Sequence, residues 1–223
     1  MGWPSRLVLV RHAESEGNII PPDERAKSPY ATHKLPLTAR GRKQAEITGW
    51  YLTQHYDPFD IRYVSYYTRA RETMEILCPD EKVYEDSRLA EGQRGIWHTM
   101  THAQIEQMFP YEIIRKEKED LYHHRPFGGE NWADIELRIH SILGTIARDY
   151  EGQNVLMVVH GHWLILFQRL IQHFSIEEAI RRYKEGVVKN ASVTEYRGIV
   201  VDGKPRLRLI QENIVPWEGL DTV

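Results

Sequence analysis

The chain has very little cysteine and no long apolar run free of polar residues. Its 223 residues include one cysteine, Cys78, which excludes an intrachain disulfide. The most apolar stretch, residues 155–171, contains two histidines, a glutamine and an arginine, so it does not predict a membrane-spanning helix. The first residues also lack the cationic, apolar and small-residue order of a signal peptide. These absences predict a cytoplasmic protein with no membrane partner.

The chain also lacks an excess of charge of either sign. Lysine and arginine number 29 and aspartate and glutamate 32, which gives a formal net charge of −3. We therefore expect no nucleic-acid partner, although a local anion site remains compatible with this balance. A hydrophobic content of 41% is enough to fill a sizeable core, and the length suits one domain over residues 1–223.

Short apolar runs alternate with segments of helical periodicity along most of the chain. Residues 6–10, 61–65 and 154–159 have the length and β-branched content of strands, and each runs directly into a polar cluster. This alternation is typical of helices that cover a largely parallel sheet. We predict an α/β fold, a three-layer sandwich with a mostly parallel central sheet flanked by helices.

Two helices are clear from their periodicity. Thr38 is a plausible N-cap for a helix that begins at residue 39. A second helix over residues 131–150 is closed by Gly152, and its apolar residues recur at helical spacing, which predicts a stripe that packs in the core. The stripe comprises Trp132, Ile135, Ile139, Ile142, Leu143 and Ile146.

Two further regions depart from the alternating pattern. Residues 92–130 lack the helical periodicity seen elsewhere, and this predicts an insertion that caps the sheet. Side chains of this cap could touch a substrate bound beneath it. Residues 191–200 and 205–214 predict an antiparallel pair at a sheet edge, which could also pair between chains in a homodimer. The cap side chains in question are Arg94, Trp97, His98, Tyr122 and Arg125.

The polar clusters follow three separate strands. Arg11 and His12 come after the first, Arg69 after the second, and His160 after the third. Ligands of open α/β sheets collect beyond the carboxyl ends of the strands, so we expect these side chains to meet. Positive charge gathered there is costly unless an anion binds, and two guanidinium groups best match a phosphoryl group. Phosphate is therefore the leading ligand.

These residues also suit phosphoryl transfer. A neutral His12 can attack phosphorus, and the charges of Arg11 and Arg69 disfavour its protonated form. The two arginines and His160 would hold the equatorial oxygens. Ser15 and Asn18 could supply neutral donors.

Six segments along the chain resemble the histidine phosphatase superfamily, which includes the cofactor-dependent phosphoglycerate mutases. LVLVRHAESEGN is similar to the family's Arg-His-Gly-Glu-Ser-x-x-Asn signature, and LPLTARGRKQA to its Leu-Thr-x-x-Gly-x-x-Gln-Ala segment. VSYYTRARETMEI matches Ser-x-x-x-Arg-Ala-x-x-Thr. PFGGENWADIELRI resembles the family's Pro-x-Gly-Glu-Ser helix start, and VVHGH its second histidine motif. RLAEGQRGIW resembles the stretch that bears the acid.

The resemblance implies a phosphatase acting on a small phosphorylated metabolite through a covalent phosphohistidine at His12, with no metal and no cofactor. Family position makes Glu91 the acid that protonates the leaving group and then the base that activates water. A carboxyl near phosphate is pushed toward its neutral form by desolvation and by the phosphate charge, which agrees with that role. Glu14 and Glu130 remain the competing carboxylates.

Two departures from the family pattern concern the site. Ala13 stands where the family usually has glycine, so the backbone after His12 must accept a methyl group. His162 stands where a small residue or asparagine is common. We expect Gly161 and His162 to adjoin the substrate, and the alternative for His162 is a histidine at a helix start that faces solvent.

Other functions remain open. The chain has eleven histidines, some of them in HGH and HH pairs, and these make a metal-dependent hydrolase the first alternative function. Against it, no H-E-x-x-H motif is present. A non-catalytic protein that binds a phospho-ligand is the second alternative. Mutase activity is the third, although RLAEGQRGIW lacks the Arg-His-Tyr-Gly that mutases usually carry and HGH replaces their His-Gly-Asn.

Overall fold

A six-stranded sheet forms the centre of the protein, whose computed structural model describes residues 2–220. The strand order is β3-β2-β4-β1-β5-β6. The first four strands in this order are parallel to one another, while β5 and β6 are antiparallel to their neighbours. The predicted mostly parallel α/β sheet is confirmed. The strands are β1 (Arg6–Arg11), β2 (Ile61–Val64), β3 (Tyr84–Glu85), β4 (Asn154–Val159), β5 (Val193–Val201) and β6 (Lys204–Ile214).

Helices follow the strands and cover both faces of the sheet. The predicted N-cap Thr38 accepts a hydrogen bond from the backbone N–H of Gly41, and the helix over 131–150 runs from Trp132 to Asp149. Gly152 follows it with a φ of +77°, which suits a glycine. The helices are α1 (Glu16–Ile19), α2 (Pro22–Ala26), α3 (Ala39–His55), α4 (Thr68–Leu77), α5 (His102–Met108), α6 (Pro110–Lys118), α7 (Trp132–Asp149), α8 (Gly161–Gln172) and α9 (Ile176–Lys184).

Side chains that alternate along the strands divide the core into two layers. Leu7 and Leu9 of β1 pack with α7, α8 and α9, whereas Val8 and Val10 pack with α3 and α4. This alternation follows from the two-residue period of a strand. The predicted stripe of α7 is buried and belongs to the first layer. The three-layer sandwich is thus built on β1, the strand that leads into the site.

The two regions that depart from the alternating pattern differ in structure from each other. Residues 92–130 contain α5, α6 and a 3-10 turn at residues 95–98, and no strand. β5 and β6 form the antiparallel pair, with β6 at the sheet edge. The homodimer and the division of the chain into one domain and a cap stay predictions. No helix between residues 2 and 220 combines the length and the apolar character needed to cross a membrane.

Candidate active site

The carboxyl ends of three neighbouring strands meet at one side of the sheet. His12 follows β1, Ser65 follows β2 and His160 follows β4, and all three side chains are buried. A cavity of about 410 Å³ opens here, and its walls include His12, Arg69 and Glu91. The structure therefore brings together the strand ends that the sequence placed at one site.

The ring of His12 is held by two hydrogen bonds that fix its tautomer. Nδ1 lies 2.7 Å from the carbonyl oxygen of Ala13, so Nδ1 carries the proton and donates it. Nε2 accepts a hydrogen bond of 3.1 Å from Nε of Arg69. Burial lowers the pKa of His12 well below 6.5, and the charges of Arg69 and Arg11 lower it further. His12 is therefore neutral at neutral pH, with its Nε2 lone pair directed at a guanidinium group.

The residue after His12 accepts its methyl group without backbone strain. Ala13 is fully buried, and it is not among the described residues with positive φ. Its N–H donates to Oγ1 of Thr73 at 3.0 Å, which ties this backbone to α4. The replacement of the family's usual glycine therefore leaves the backbone in an ordinary conformation.

Arg69, in the first turn of α4, connects the two histidines. Its Nη2 donates to Nδ1 of His160 at 3.3 Å, and its Nη1 donates to the carbonyl oxygen of Thr32 at 3.0 Å. Because Nδ1 of His160 accepts, its Nε2 carries the proton and donates to Oγ of Ser65 at 2.8 Å. Burial lowers the pKa of His160 well below 6.5, and Arg69 adds to this effect. Both ring nitrogens of His160 are thus already engaged.

Arg11 ends β1 at the wall of the cavity. Its Nη1 donates to the carbonyl oxygen of Val188 at 2.6 Å, whereas its buried Nε has no hydrogen-bond partner among the described residues. Gly161, the first residue of α8, leaves room for this guanidinium, since a β-carbon there would lie 3.2 Å from Nε of Arg11. The role of Gly161 is therefore steric, through Arg11.

Ser15 and Asn18 also line the cavity, but they are engaged with each other at the start of α1. Oδ1 of Asn18 accepts from the backbone N–H of Ser15 at 2.9 Å and from its hydroxyl at 3.0 Å. The Ser15 hydroxyl therefore donates its hydrogen bond to Asn18 and not to a ligand in the cavity.

Of the three carboxylates considered as proton donors, only Glu91 lines the cavity. Glu14 forms an ion pair with Nη1 of Arg40 at 2.9 Å. Both oxygens of Glu130 accept from the guanidinium of Arg138, at 2.9 and 3.0 Å. The geometry therefore favours Glu91 over the other two.

The pKa of Glu91 is the balance of opposing effects. Burial raises it, as expected from the sequence. His162 and Arg69 outweigh that effect, together with the N–H of Gly92, which donates to Oε1 at 3.0 Å, and with Arg11. The net pKa of Glu91 lies below 4.5. Without phosphate, Glu91 is therefore a carboxylate at neutral pH. The expectation that a bound phosphate favours its neutral form stays a prediction.

His162 faces inward from the first turn of α8. Its ring stacks on Tyr183 with centroids 4.1 Å apart, and its Nδ1 lies 3.8 Å from Oε1 of Glu91. Its Nε2 is buried without a hydrogen-bond partner among residues 2–220. Burial lowers the pKa of His162 to about 4. The alternative of a solvent-facing histidine is therefore wrong.

The cap segment contributes to this cavity and to a second one beside it. Arg94 and His98 line the first cavity. The second, of about 620 Å³, is lined in part by Trp97 and Trp132 and is mostly apolar. The wall common to both cavities consists of Gly92, Arg94, His162 and Tyr183.

Two of the cap residues considered for substrate contact are occupied elsewhere. The hydroxyl of Tyr122 donates to Oε2 of Glu136 at 2.8 Å. Arg125 forms an ion pair with Asp134 at 2.7 Å. Neither residue lines a cavity adjoining His12, so the expectation for this pair is wrong.

The two histidines of the HTMTH segment, residues 98–102, are engaged in separate contacts. His98 and His102 are four residues apart, but Nδ1 of His98 lies 3.3 Å from Oγ1 of Thr32 while His102 packs edge-on against Trp97. Across the described part of the chain, no three His, Cys, Asp or Glu side chains are grouped so as to hold a metal ion.

The cavity residues that were not identified from the sequence include Arg25, Tyr183 and Lys184. Tyr183 and Lys184 end α9, which lies outside all the segments that resemble the family. No local pattern marks Arg25, because its position depends on the packing of the short α2 against the turn at 95–98.

Comparison with known families identifies one that covers most of the chain. The family described as the histidine phosphatase superfamily (branch 1) matches residues 7–212. The chain therefore belongs to the histidine phosphatase superfamily, and the resemblance seen in its six segments is confirmed.

Its relatives include both mutases and phosphatases. The chain is 30% identical over 179 residues to 2,3-bisphosphoglycerate-dependent phosphoglycerate mutase 2 of Gloeobacter violaceus, covering 77% of this chain and 78% of that protein. It is 29% identical over 157 residues to phosphoserine phosphatase 1 of Hydrogenobacter thermophilus, with 70% of each covered. The solved structure of Bacillus stearothermophilus YhfR is 27% identical, with a TM-score of 0.74 over 94% of this chain and 97% of that one.

Proposed function

We propose that this protein is a phosphatase that hydrolyses a small phosphorylated metabolite through a covalent phosphohistidine at His12. The observation that carries the proposal is the tautomer of His12. Its Nδ1 donates to the carbonyl oxygen of Ala13, so Nε2 keeps its lone pair on the side of the cavity. An uncharged imidazole fixed in this way is a competent nucleophile toward phosphorus.

Phosphate binding begins with the two guanidinium groups. Nε of Arg11, which has no partner among the described residues, donates to one phosphate oxygen. Nε of Arg69 exchanges its hydrogen bond to His12 for one to a second phosphate oxygen, and Nε2 of His12 is then free to attack. The same movement frees Nδ1 of His160 from Arg69, so that this ring can approach the phosphoryl group after a change of tautomer.

The first chemical step transfers the phosphoryl group to the enzyme. A bond forms between Nε2 of His12 and phosphorus while the bond from phosphorus to the ester oxygen breaks. Glu91, in its protonated form, gives its proton to the departing oxygen, and the alcohol leaves. Nδ1 of His12 keeps its proton and its hydrogen bond to Ala13 throughout.

The second step returns the enzyme to its starting state. Glu91, now a carboxylate, takes a proton from water as the water oxygen attacks phosphorus. The bond from phosphorus to His12 breaks and its electron pair returns to Nε2. Inorganic phosphate is released, and Glu91 again holds the proton for the next cycle.

Substrate binding itself favours the protonated form of Glu91. Arg69 and Arg11 both lower its pKa, and their positive charge is offset when they bind phosphate. The phosphate dianion adds negative charge close to the carboxyl group. Both changes raise the pKa of Glu91 from its low starting value, in the direction that an acid catalyst needs.

Mutase activity is the second candidate, because one of the relatives is a phosphoglycerate mutase at 30% identity. Phosphatase and mutase share the first step and differ in whether water or a substrate hydroxyl receives the phosphoryl group. The chain lacks the Arg-His-Tyr-Gly segment beside the acid and has His162 in place of asparagine. These departures support hydrolysis.

A panel of phosphorylated metabolites, with 4-nitrophenyl phosphate as a generic ester, tests the proposal. We expect release of inorganic phosphate in the presence of EDTA, and no transfer between the positions of phosphoglycerate. His12→Ala should abolish turnover, whereas His140→Ala, a change at an exposed histidine of α7, should leave it intact. Transfer that exceeds hydrolysis would replace the phosphatase with the mutase.

A further inference from the structure

Two further arginines, from different segments of the chain, line the cavity outside the group of residues assigned to phosphate binding. Arg25 lies in α2, and Arg94 immediately precedes the 3-10 turn at residues 95–98. α2 packs against this turn, and Oδ1 of Asp23 accepts a 2.9 Å hydrogen bond from the N–H of His102 just beyond it. Both arginines line the cavity of His12.

Arg94 is positioned by a contact to α9. Its Nη2 donates to the hydroxyl of Tyr183 at 2.6 Å, and Tyr183 stacks on His162. Arg25 is half-buried, and burial and the nearby charge of Arg94 both lower its pKa. The same two charges lower the pKa of His98, after the larger effect of burial, to about 4. Two like charges are therefore held close together, with a neutral histidine beside them.

The chain pairs its arginines with carboxylates in many other places. Arg88 pairs with Asp86 at 2.6 Å, and Arg182 pairs with Glu212 at 2.6 Å. Within residues 2–220, by contrast, neither Arg25 nor Arg94 forms an ion pair with a carboxylate. Unpaired cations that share one cavity indicate an anion from outside the chain.

The charge of the cavity exceeds what one phosphate can balance. Its walls carry four arginines and one lysine but a single carboxylate, Glu91. A bound phosphate dianion supplies two negative charges against these five positive ones, because Glu91 is protonated in the proposed complex. The excess belongs to Arg25, Arg94 and the exposed Lys184, all of them outside the group that surrounds His12.

We propose that the physiological substrate is a phosphate monoester with a second anionic group, a carboxylate or another phosphate, which binds between Arg25 and Arg94. This inference rests on the proposed function, because it assigns the non-reacting part of the same substrate. The scissile phosphate occupies the site beside His12, and the second anion lies toward the cap. Two guanidinium groups can together bind the oxygens of either kind of anion.

Three aryl phosphates that differ only in one ring substituent provide the test. They are 3-carboxyphenyl, 3-phosphonophenyl and 3-carbamoylphenyl phosphate, of which the last is neutral at that substituent. kcat/KM is measured for each with the wild type, with the Arg25→Gln/Arg94→Gln double variant and with Arg206→Gln. Arg206 is an exposed arginine of β6 and does not line the cavity, so it is the matched control.

The readout is the ratio of kcat/KM for an anionic ester to that for the carbamoyl ester. Differences between the leaving groups cancel when this ratio is compared among variants. We expect the double variant to lower the ratio about tenfold for at least one anionic ester, and Arg206→Gln to leave it unchanged. A larger drop of this ratio for the carboxyphenyl ester indicates a carboxylate as the second anionic group, and a larger drop for the phosphonophenyl ester indicates a phosphate.

An unchanged ratio in the double variant would overturn the inference while the phosphatase proposal stands. Absence of turnover of all three esters by the wild type would instead contradict the phosphatase proposal. In that case the same ratio is taken from dissociation constants measured by calorimetry. Equal affinity of the wild type for the anionic and neutral esters would then overturn the second-anion site as well.

Discussion

Nε of Arg69 lies 3.1 Å from Nε2 of His12, and Nη2 of the same guanidinium lies 3.3 Å from Nδ1 of His160. One side chain thus binds the lone pairs of two buried imidazoles. Its charge disfavours protonation of both rings, and its hydrogen bonds hold them in defined orientations. Arg69 therefore controls the protonation state of the proposed nucleophile as well as its position.

We expect Arg69→Gln to change the pH dependence of activity in a defined direction. Burial and the charges of Arg69 and Arg11 hold the pKa of His12 well below 6.5, and the neutral form is the one that attacks. Removal of one of these charges raises the pKa, so the protonated form persists to higher pH. The acidic limb of the kcat/KM profile should therefore move to higher pH.

Arg11→Gln is the matched comparison for this shift. Arg11 follows Arg69 among the charges that lower the pKa of His12, so its removal should move the acidic limb in the same direction by a smaller amount. Titration of the His12 ring by NMR supplies an independent measurement. Acidic limbs that stay in place in both variants would contradict the electrostatic account of His12.

Glu91→Gln should affect esters according to their leaving group. Loss of a general acid typically costs on the order of 10²–10⁴-fold in rate, and the loss is largest for alkyl esters, whose oxygen needs a proton to depart. An activated aryl ester should lose less in the first step. Because the same carboxylate activates water, phosphoenzyme should accumulate with the aryl ester.

Glu130→Gln provides the control for this experiment. Glu130 is bound by Arg138 outside the cavity, so its loss should change stability without a dependence on the leaving group. Equal losses for alkyl and aryl esters in Glu91→Gln would assign the proton to another group.

Gly161→Ala should impair phosphate binding through Arg11. A β-carbon at residue 161 would lie 3.2 Å from Nε of Arg11 and 3.4 Å from Cζ, which forces the guanidinium to shift. We expect kcat/KM to fall about tenfold, mainly through KM, as a donor to the phosphate is displaced. Competition by inorganic phosphate should weaken in parallel, and unchanged phosphate affinity would count against this role of Arg11.

Gly41→Ala should destabilise the fold. A β-carbon at Gly41 would lie 1.9 Å from the carbonyl oxygen of Glu14, so the backbone after β1 must move away from α3. We expect the free energy of unfolding to fall by about 2–3 kcal/mol, measured with urea.

Gly144→Ala is the opposite case within α7. A β-carbon at Gly144 would have no neighbour within 4 Å, so the substitution should raise the free energy of unfolding by about 0.5–1 kcal/mol. Equal effects of the two substitutions would contradict the close approach of α3 to Glu14.

Much of the fold followed from local sequence patterns. β1 and β4 were marked by short apolar runs, α7 by its apolar stripe and α3 by the cap at Thr38, because each of these patterns lies within one short stretch of the chain. The meeting of His12, Arg69 and His160 followed from a general property of parallel sheets, that ligands bind at the strand ends.

The features that were missed depend on packing between distant segments. Arg25 reaches the cavity because α2 packs on the turn at 95–98. The low pKa of Glu91 reflects His162, Arg69 and Arg11, which come from three strand ends. Spacing along the chain carries no information about such balances of charge.

Detection of the phosphoenzyme on His12 tests the central claim most directly. Wild type and Glu91→Gln are mixed with a ³²P-labelled ester, quenched in alkali within the first turnover, and digested for mass spectrometry. We predict an acid-labile, alkali-stable phosphate on the peptide that contains His12, present in larger amount in Glu91→Gln and absent from His12→Ala. Turnover without label at His12 would contradict the phosphohistidine mechanism, and binding of the ester with neither label nor turnover would indicate a phospho-ligand binding protein instead.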